Sequence, residues 1–174
     1  MIIRITLLTI TVLLVLVSCS SKNQPAPRPQ WIYEKDAITL RFRADKLLNM
    51  HEGAPHTLML CVYQLSNDEM LKQMASNEDG IYQLLDCEQF DSSVKSAKRL
   101  IIHPGQDLTF IMDRLAGTRK IGFVAGYSKL EKDRIVRTLD IPVLETKDRK
   151  RSIVREIKGI VNLGSEQIAA IQGY

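Results

Sequence analysis

Between Ala37 and Leu163 the chain is built from short apolar segments, most of which alternate with polar residues at a period of two. Such alternation marks strands with one buried and one solvated face. In Ala37–Ala44, Ile38, Leu40, Phe42 and Ala44 share one face, and Thr39, Arg41 and Arg43 share the other. Thr57–Leu65, TLMLCVYQL, is almost continuously apolar and suits a central strand. Lys98–His103, Asp107–Met112 and Lys120–Tyr127 follow, with Ile101 and Ile102, then Leu108, Phe110 and Met112, then Ile121, Phe123 and Ala125 as their core residues. His103-Pro104-Gly105-Gln106 reads as the turn between the first two of these. Arg134–Leu144 and Ser152–Leu163 complete the series, separated by the charged turn Lys147–Arg151. Ile153, Ile157, Val161 and Leu163 lie on one parity together with Arg155. About seven strands at this spacing predict a mainly β, two-sheet sandwich over residues 31–164.

One stretch breaks the period. Ser66–Asp86, SNDEMLKQMASNEDGIYQLLD, has helical spacing, with Met70, Leu71 and Met74 in one stripe and Ile81, Leu84 and Leu85 in a second. Ser66 followed by Glu69 has the form of a capping box. A helical insertion of one or two short helices is expected over 66–86, its methionines serving as core filler.

The chain has 174 residues, 45% apolar and 25% charged, too apolar for a disordered polymer. Its net charge of +4 comes from 24 basic and 20 acidic residues dispersed along the chain. That dispersal argues against a nucleic-acid binder despite a pI near 9.0. Residues 1–18 carry a single early cation, Arg4, and then an apolar run from Ile5 to Val17. The run is short for a bilayer-spanning helix, which needs about 20 residues, and fits the core of a secretory signal peptide. It closes on Leu16-Val17-Ser18-Cys19, which resembles the lipobox of bacterial lipoproteins. That resemblance implies cleavage before Cys19 and acylation of its thiol and new amine. One acyl chain holds a protein weakly and several hold it firmly, at about 0.8 kcal/mol per buried methylene. Ser20, in place of an inner-membrane-retaining Asp, implies the outer membrane with the domain facing the periplasm. Residues 19–30, including SSKNQPAPRPQ, form an expected extended tether of polar residues and prolines.

The order of features resembles the TssJ (SciN) family of outer-membrane lipoproteins of the type VI secretion system. The matching pieces are the lipobox cysteine, a first strand ending in Leu48-Asn49, and a polar Gly/Pro loop. They continue with the strand ending Val62-Tyr63-Gln64-Leu65, the helical insertion, the Pro104-Gly105 turn and Ile121-Gly122-Phe123-Val124-Ala125-Gly126-Tyr127. The resemblance covers roughly residues 36–144. It implies a transthyretin-like sandwich with added helices, no enzymatic activity and no cofactor. It also implies a partner, the periplasmic C-terminal domain of TssM, and through it TssL, in a complex of several copies. The family's contact loop lies between the first two strands. Here that loop departs from the commoner form, running Met50-His51-Glu52-Gly53-Ala54-Pro55 after Leu48-Asn49.

The physical reading of that loop stands beside the resemblance. Asp45–His56 is longer than the two to five residues usual for a hairpin, and long loops are often functional. Leu47, Leu48 and Met50 are apolar side chains that a solvated loop does not need. Gly53 and Pro55 restrain its shape, which lowers the ordering cost on binding. Leu48, Asn49, Met50, His51, Glu52, Gly53, Ala54 and Pro55 are therefore the candidate docking residues. The competing reading is that Leu47 and Leu48 finish the strand and pack into the core.

After Cys19, two cysteines remain, Cys61 and Cys87. In the oxidising periplasm they either pair or stay as buried thiols, and sequence leaves both open. The histidines His51, His56 and His103 lack the spacing of a zinc site, so no metal is expected. No nucleophile elbow, phosphate loop or dinucleotide fingerprint is present. Lys147–Arg151 reads as a solvated turn, with lipid head groups as a secondary partner. The tail 165–174, with Ile168 and Ile171, reads as a short docked helix or a loose end. The function expected is a membrane-anchored protein that tethers the secretion complex through TssM. The alternative is a small-ligand-binding or envelope-stress periplasmic lipoprotein on a similar sandwich.

Overall fold

The computed structural model describes residues 28–145 and 152–173. The leader, Cys19, most of the tether and the basic turn lie outside them. In chain order the described elements are β1 (Glu34–Ala44), β2 (Leu58–Leu65), α1 (Glu69–Met74), α2 (Glu78–Leu85), β3 (Val94–Ile102), β4 (Asp107–Arg114) and β5 (Lys120–Ala125). They continue with α3 (Lys132–Ile135), β6 (Val136–Asp140), β7 (Val143–Glu145), β8 (Ser152–Val154), β9 (Ile157–Leu163) and β10 (Ile168–Gly173).

The alternation in β1 becomes the inner face of one four-stranded sheet, ordered β10-β9-β1-β4. Ile38, Leu40 and Phe42 are fully buried, and Arg41 and Arg43 face solvent. β1 runs antiparallel to β4, with Ile38 opposite Met112. It runs parallel to β9, with Ile38 opposite Ile157 and Ala44 opposite Leu163. The second sheet is ordered β3-β2-β5-β6. Phe42 of the first sheet meets Phe123 of the second edge to face, with ring centres 6.3 Å apart. This is the favoured geometry for an aromatic pair across a sandwich interior.

The continuous apolar run of β2 has a double cause. Leu58, Leu60 and Val62 point toward the first sheet, while Cys61, Tyr63 and Leu65 point outward beneath α1 and α2, where Leu71, Ile81 and Leu84 cover them. Tyr63 donates to the carbonyl of Leu84, and its ring meets Phe90 at 5.4 Å. Burial pushes the Tyr63 phenol above its ordinary range. Gln64 is the polar member of the inner face. Its Nε2 donates to the Asp113 carbonyl at 2.8 Å, and its Oε1 accepts from Leu115 N and Thr118 Oγ1 at 2.9 and 3.0 Å. One amide thereby joins the two sheets with its hydrogen bonds satisfied.

Several expectations are corrected. Arg134–Leu144 is not one strand: α3 takes its start, β6 pairs with β5, and Pro142, which has no N–H to donate, stands between β6 and β7. Ser152–Leu163 likewise divides at Arg155-Glu156, because β8 pairs with β7 in a separate hairpin while β9 joins the first sheet. Ile153 therefore points to solvent while Ile157, Val161 and Leu163 are buried. Ile101 is also exposed, leaving Ile102 to fill the core. The tail is neither helix nor loose: Ile168–Gly173 is the edge strand β10, paired with β9, and Ile168 is fully buried, so the sandwich extends past residue 164. The insertion holds two helices, but the Ser66–Glu69 capping box does not form. Ser66 Oγ donates to the Ser93 carbonyl, and Asn67 Oδ1 accepts from Glu69 N. In α2, Asn77 is the side-chain cap, accepting from Gly80 N at 2.8 Å.

Candidate functional site

The segment between β1 and β2 stands at one end of the sandwich, and its base is tied to three other loops. Asp45 N donates to the Leu163 carbonyl, and the Asp45 carbonyl accepts from Gly105 N in the β3–β4 turn. Met50 N donates to the Ser165 carbonyl in the β9–β10 connection, and His56 N returns to the Leu48 carbonyl at 3.0 Å. Leu48 is fully buried in the core, whereas Leu47 is 55% exposed. Two adjacent leucines on a bending chain point to opposite sides, and here the second is the core residue.

Asn49 carries the loop. Its Nδ2 donates to the Thr57 carbonyl at 3.0 Å. Its Oδ1 accepts from Ser128 N at 2.9 Å and from Ser128 Oγ at 3.1 Å. Its φ is +48°, a left-handed conformation that asparagine tolerates better than most residues. Beyond it the chain folds into a miniature hairpin. His51 and Ala54 exchange both backbone hydrogen bonds at 3.0 Å, and Glu52 and Gly53 between them both have positive φ. Positive φ at both central residues is the mark of the tight type I′ turn, and Gly53 accepts it without strain. His51, Glu52, Gly53, Ala54, Pro55 and His56 are all exposed, and Met50 is half-buried at their foot. The His51 and His56 rings lie edge to face, 6.0 Å apart.

The candidate docking residues read from sequence thus separate into two groups. Leu48 and Asn49 are the footing and are not surface for a partner. Met50 through Pro55 are the raised tip. Leu47 lies on the exposed side of the same segment. Ser128, which holds Asn49, had no signal in sequence because the two residues are distant in the chain. A groove of about 840 Å³ adjoins this end, lined by Met59, Ile81, Tyr82, Tyr127 and Leu130 among others. Tyr127 donates to the Gln167 carbonyl at 2.7 Å, and burial raises its phenol above the ordinary range.

Cys61 and Cys87 form a disulfide that ties the outer face of β2 to the end of α2. His103 opens the β3–β4 turn. Among the described residues no three His, Cys, Asp or Glu side chains are gathered as metal ligands. No helix among them is long and apolar enough to cross a membrane.

Residues 36–156 match the family described as T6SS-SciN, type VI secretion lipoprotein, VasD, EvfM, TssJ, VC_A0113. The chain belongs to this family. Type VI secretion lipoproteins are components of a secretion system's membrane complex and are not a known enzyme family. No curated protein sequence matches the chain. Solved structures share the fold. The T6SS lipoprotein TssJ1 from Pseudomonas aeruginosa is 18% identical with a TM-score of 0.60, covering 82% of this chain and 96% of its own. A chain in the structure described as the T6SS protein TssM C-terminal domain (869–1107) from EAEC is 14% identical with a TM-score of 0.58, covering 78% and 96%. Serratia marcescens Lip, described as a membrane-bound component of the type VI secretion system, is 16% identical with a TM-score of 0.52, covering 79% and 96%.

Proposed function

We propose that this type VI secretion lipoprotein is an outer-membrane tether for the secretion complex. Acyl chains on Cys19, exposed by removal of residues 1–18, hold it in the inner leaflet, and the sandwich faces the periplasm. The raised tip between β1 and β2 grips the periplasmic C-terminal domain of TssM, and through TssM the protein is linked to TssL. The work is mechanical, with no bond made or broken by the sandwich.

One observation carries this reading: an exposed, pre-shaped turn, Met50–Pro55, stands on a buried footing of Leu48 and Asn49. A loop already held in one conformation loses little entropy on binding. Exposed Leu47 and half-buried Met50 supply apolar contact, and the polar tip residues supply the rim.

Replacing Met50–Pro55 with a Gly/Ser segment of equal length tests it. Binding to the TssM periplasmic domain should be lost while the unfolding midpoint stays close to the parent's. Full affinity in the folded variant defeats the docking assignment. Mass spectrometry of the mature N-terminal peptide tests the anchor, which requires acylated Cys19 as the first residue.

A further inference from the structure

A cleft of about 590 Å³ lies at the end of the sandwich away from the docking tip, lined by β8 and by the segment that enters β1. β1 starts there at Glu34 and finishes at Ala44 beside the tip, about 30 Å away at roughly 3.3 Å per residue. Ile32, just before β1, and Ile153, on β8, are 61% and 51% exposed and form apolar walls together with Val154. The Tyr33 ring also lines the cleft, and its hydroxyl is engaged by Asp113, to which it donates at 2.7 Å.

The charged lining is unequal. Two guanidinium groups, Arg28 and Arg114, line the cleft against one carboxylate, Glu34. Arg28 is exposed. Arg114, the last residue of β4, is only 2% exposed. It donates from one terminal nitrogen to Glu34 at 2.6 Å and from the other to the Arg155 carbonyl at 3.2 Å. Its Nε is the one buried side-chain nitrogen or oxygen without a hydrogen-bond partner among the described residues. A buried charged donor left unpaired is costly, and such a group calls for an acceptor.

An apolar cleft with a few converging polar groups is the form of a small-molecule site, and this volume lies in the usual range. The lining selects among small molecules. A planar carboxylate matches the guanidinium fork. Two cations against one acid leave a single positive charge in excess, which a monoanion cancels. The apolar walls call for a hydrocarbon body behind the acid group.

We propose that this cleft binds a small monocarboxylic acid with an apolar body, its carboxylate held by Arg114 and Arg28 and its hydrocarbon set against Ile32, Ile153 and Val154. The site is a second function of the sandwich. It is separate from the β1–β2 tip and does not depend on whether that tip grips TssM.

The full chain in a non-ionic detergent is titrated calorimetrically with phenylbutyrate and, in parallel, with its uncharged amide and with acetate, each corrected by a detergent blank. Phenylbutyrate should bind saturably at one site per chain. The amide should bind about tenfold more weakly, as a hydrogen bond to a charged group is lost. Acetate should bind more weakly still, for want of apolar contact. Ile153→Glu sets a negative charge on an exposed wall and should abolish binding, and Arg28→Gln should weaken it about tenfold. Arg114→Lys keeps the charge but loses the planar fork and should also weaken it. Ile101→Glu, an exposed substitution on β3 outside the cleft, should leave it unchanged. Unfolding midpoints identify any variant that does not fold; the surface variants Ile153→Glu and Arg28→Gln carry the test if Arg114→Lys is one. An absence of saturable heat from phenylbutyrate, equal affinity for acid and amide, or parental affinity in both surface variants overturns the site.

Discussion

Asn49 and Ser128 lie 79 residues apart in the chain, and the Asn49 side-chain oxygen accepts both the backbone N–H and the hydroxyl of Ser128. This contact fastens the β1–β2 loop to the segment after β5, and it sets the base from which the exposed turn rises. Asn49→Ala should unpair the Thr57 carbonyl and Ser128 N and place a poorer residue in a left-handed conformation. The expected cost is about 2 kcal/mol in urea unfolding, on the scale of unsatisfied polar groups. Amide exchange at His51 and Ala54 should quicken beyond what that global loss explains. A variant with parental stability and exchange would remove Asn49 from this role.

The Cys61–Cys87 bond closes a segment with a sequence separation of 26 and holds the helical insertion on β2. In the chain-entropy view, a loop of this size is worth about 3 kcal/mol. Unfolding with and without a reducing agent should differ by about that amount. The Cys61→Ala/Cys87→Ala double variant should match the reduced parent and ignore the reductant.

Gly80 sits where α2 crosses the end of α1. A Cβ there would fall 2.0 Å from the Met74 carbonyl oxygen, which is backbone and cannot swing aside. Gly80→Ala should cost about 2 kcal/mol, in the range of overpacked sites. The damage should appear first in the insertion, as weaker protection in α1 and α2 than in β1. A neutral result in calorimetry would refute the close approach.

Asp68 is a buried acid beneath Lys72 at 2.9 Å and Lys120 at 3.6 Å. Burial by itself raises its carboxyl, but the hydrogen bond from Lys72 and the charges of Lys120 and Lys72 outweigh it and hold the group below the usual carboxylate range. A carboxyl depressed in the folded state stabilises the fold above its unfolded pKa, near 3.9, and loses that contribution as pH falls through its lower folded value. Unfolding free energy should therefore drop on acidification below about pH 4. Asp68→Asn should make that drop shallower while lowering stability at pH 7. An unchanged slope would assign the acid sensitivity to other groups.

The inner face of β1 was legible because alternation records burial on one side, and Ile38, Leu40 and Phe42 have no other use. The central place of β2 was legible for a related reason, since a strand covered by a sheet on one side and helices on the other has no polar face to show. The candidate loop was legible as an unusually long and partly apolar connection. Its division into footing and tip was not, because Leu47 and Leu48 are equivalent in composition and only the direction of the bend separates them. The division of Arg134–Leu144 was marked by Pro142, yet the apolar residues around it continued the pattern across the break.

By itself the amino-acid order determined which segments have a face to bury, where the helical insertion falls and where the family resemblance lies, because these are local properties of spacing and side-chain type. Tertiary structure alone decided the parallel pairing of β9 with β1, the recruitment of Ile168–Gly173 as an edge strand, the union of Cys61 with Cys87 and the seating of Asn49 on Ser128. Periodicity reports that a face is buried but carries no information about the partner that buries it. That partner is chosen by packing and hydrogen bonding between residues far apart in the chain.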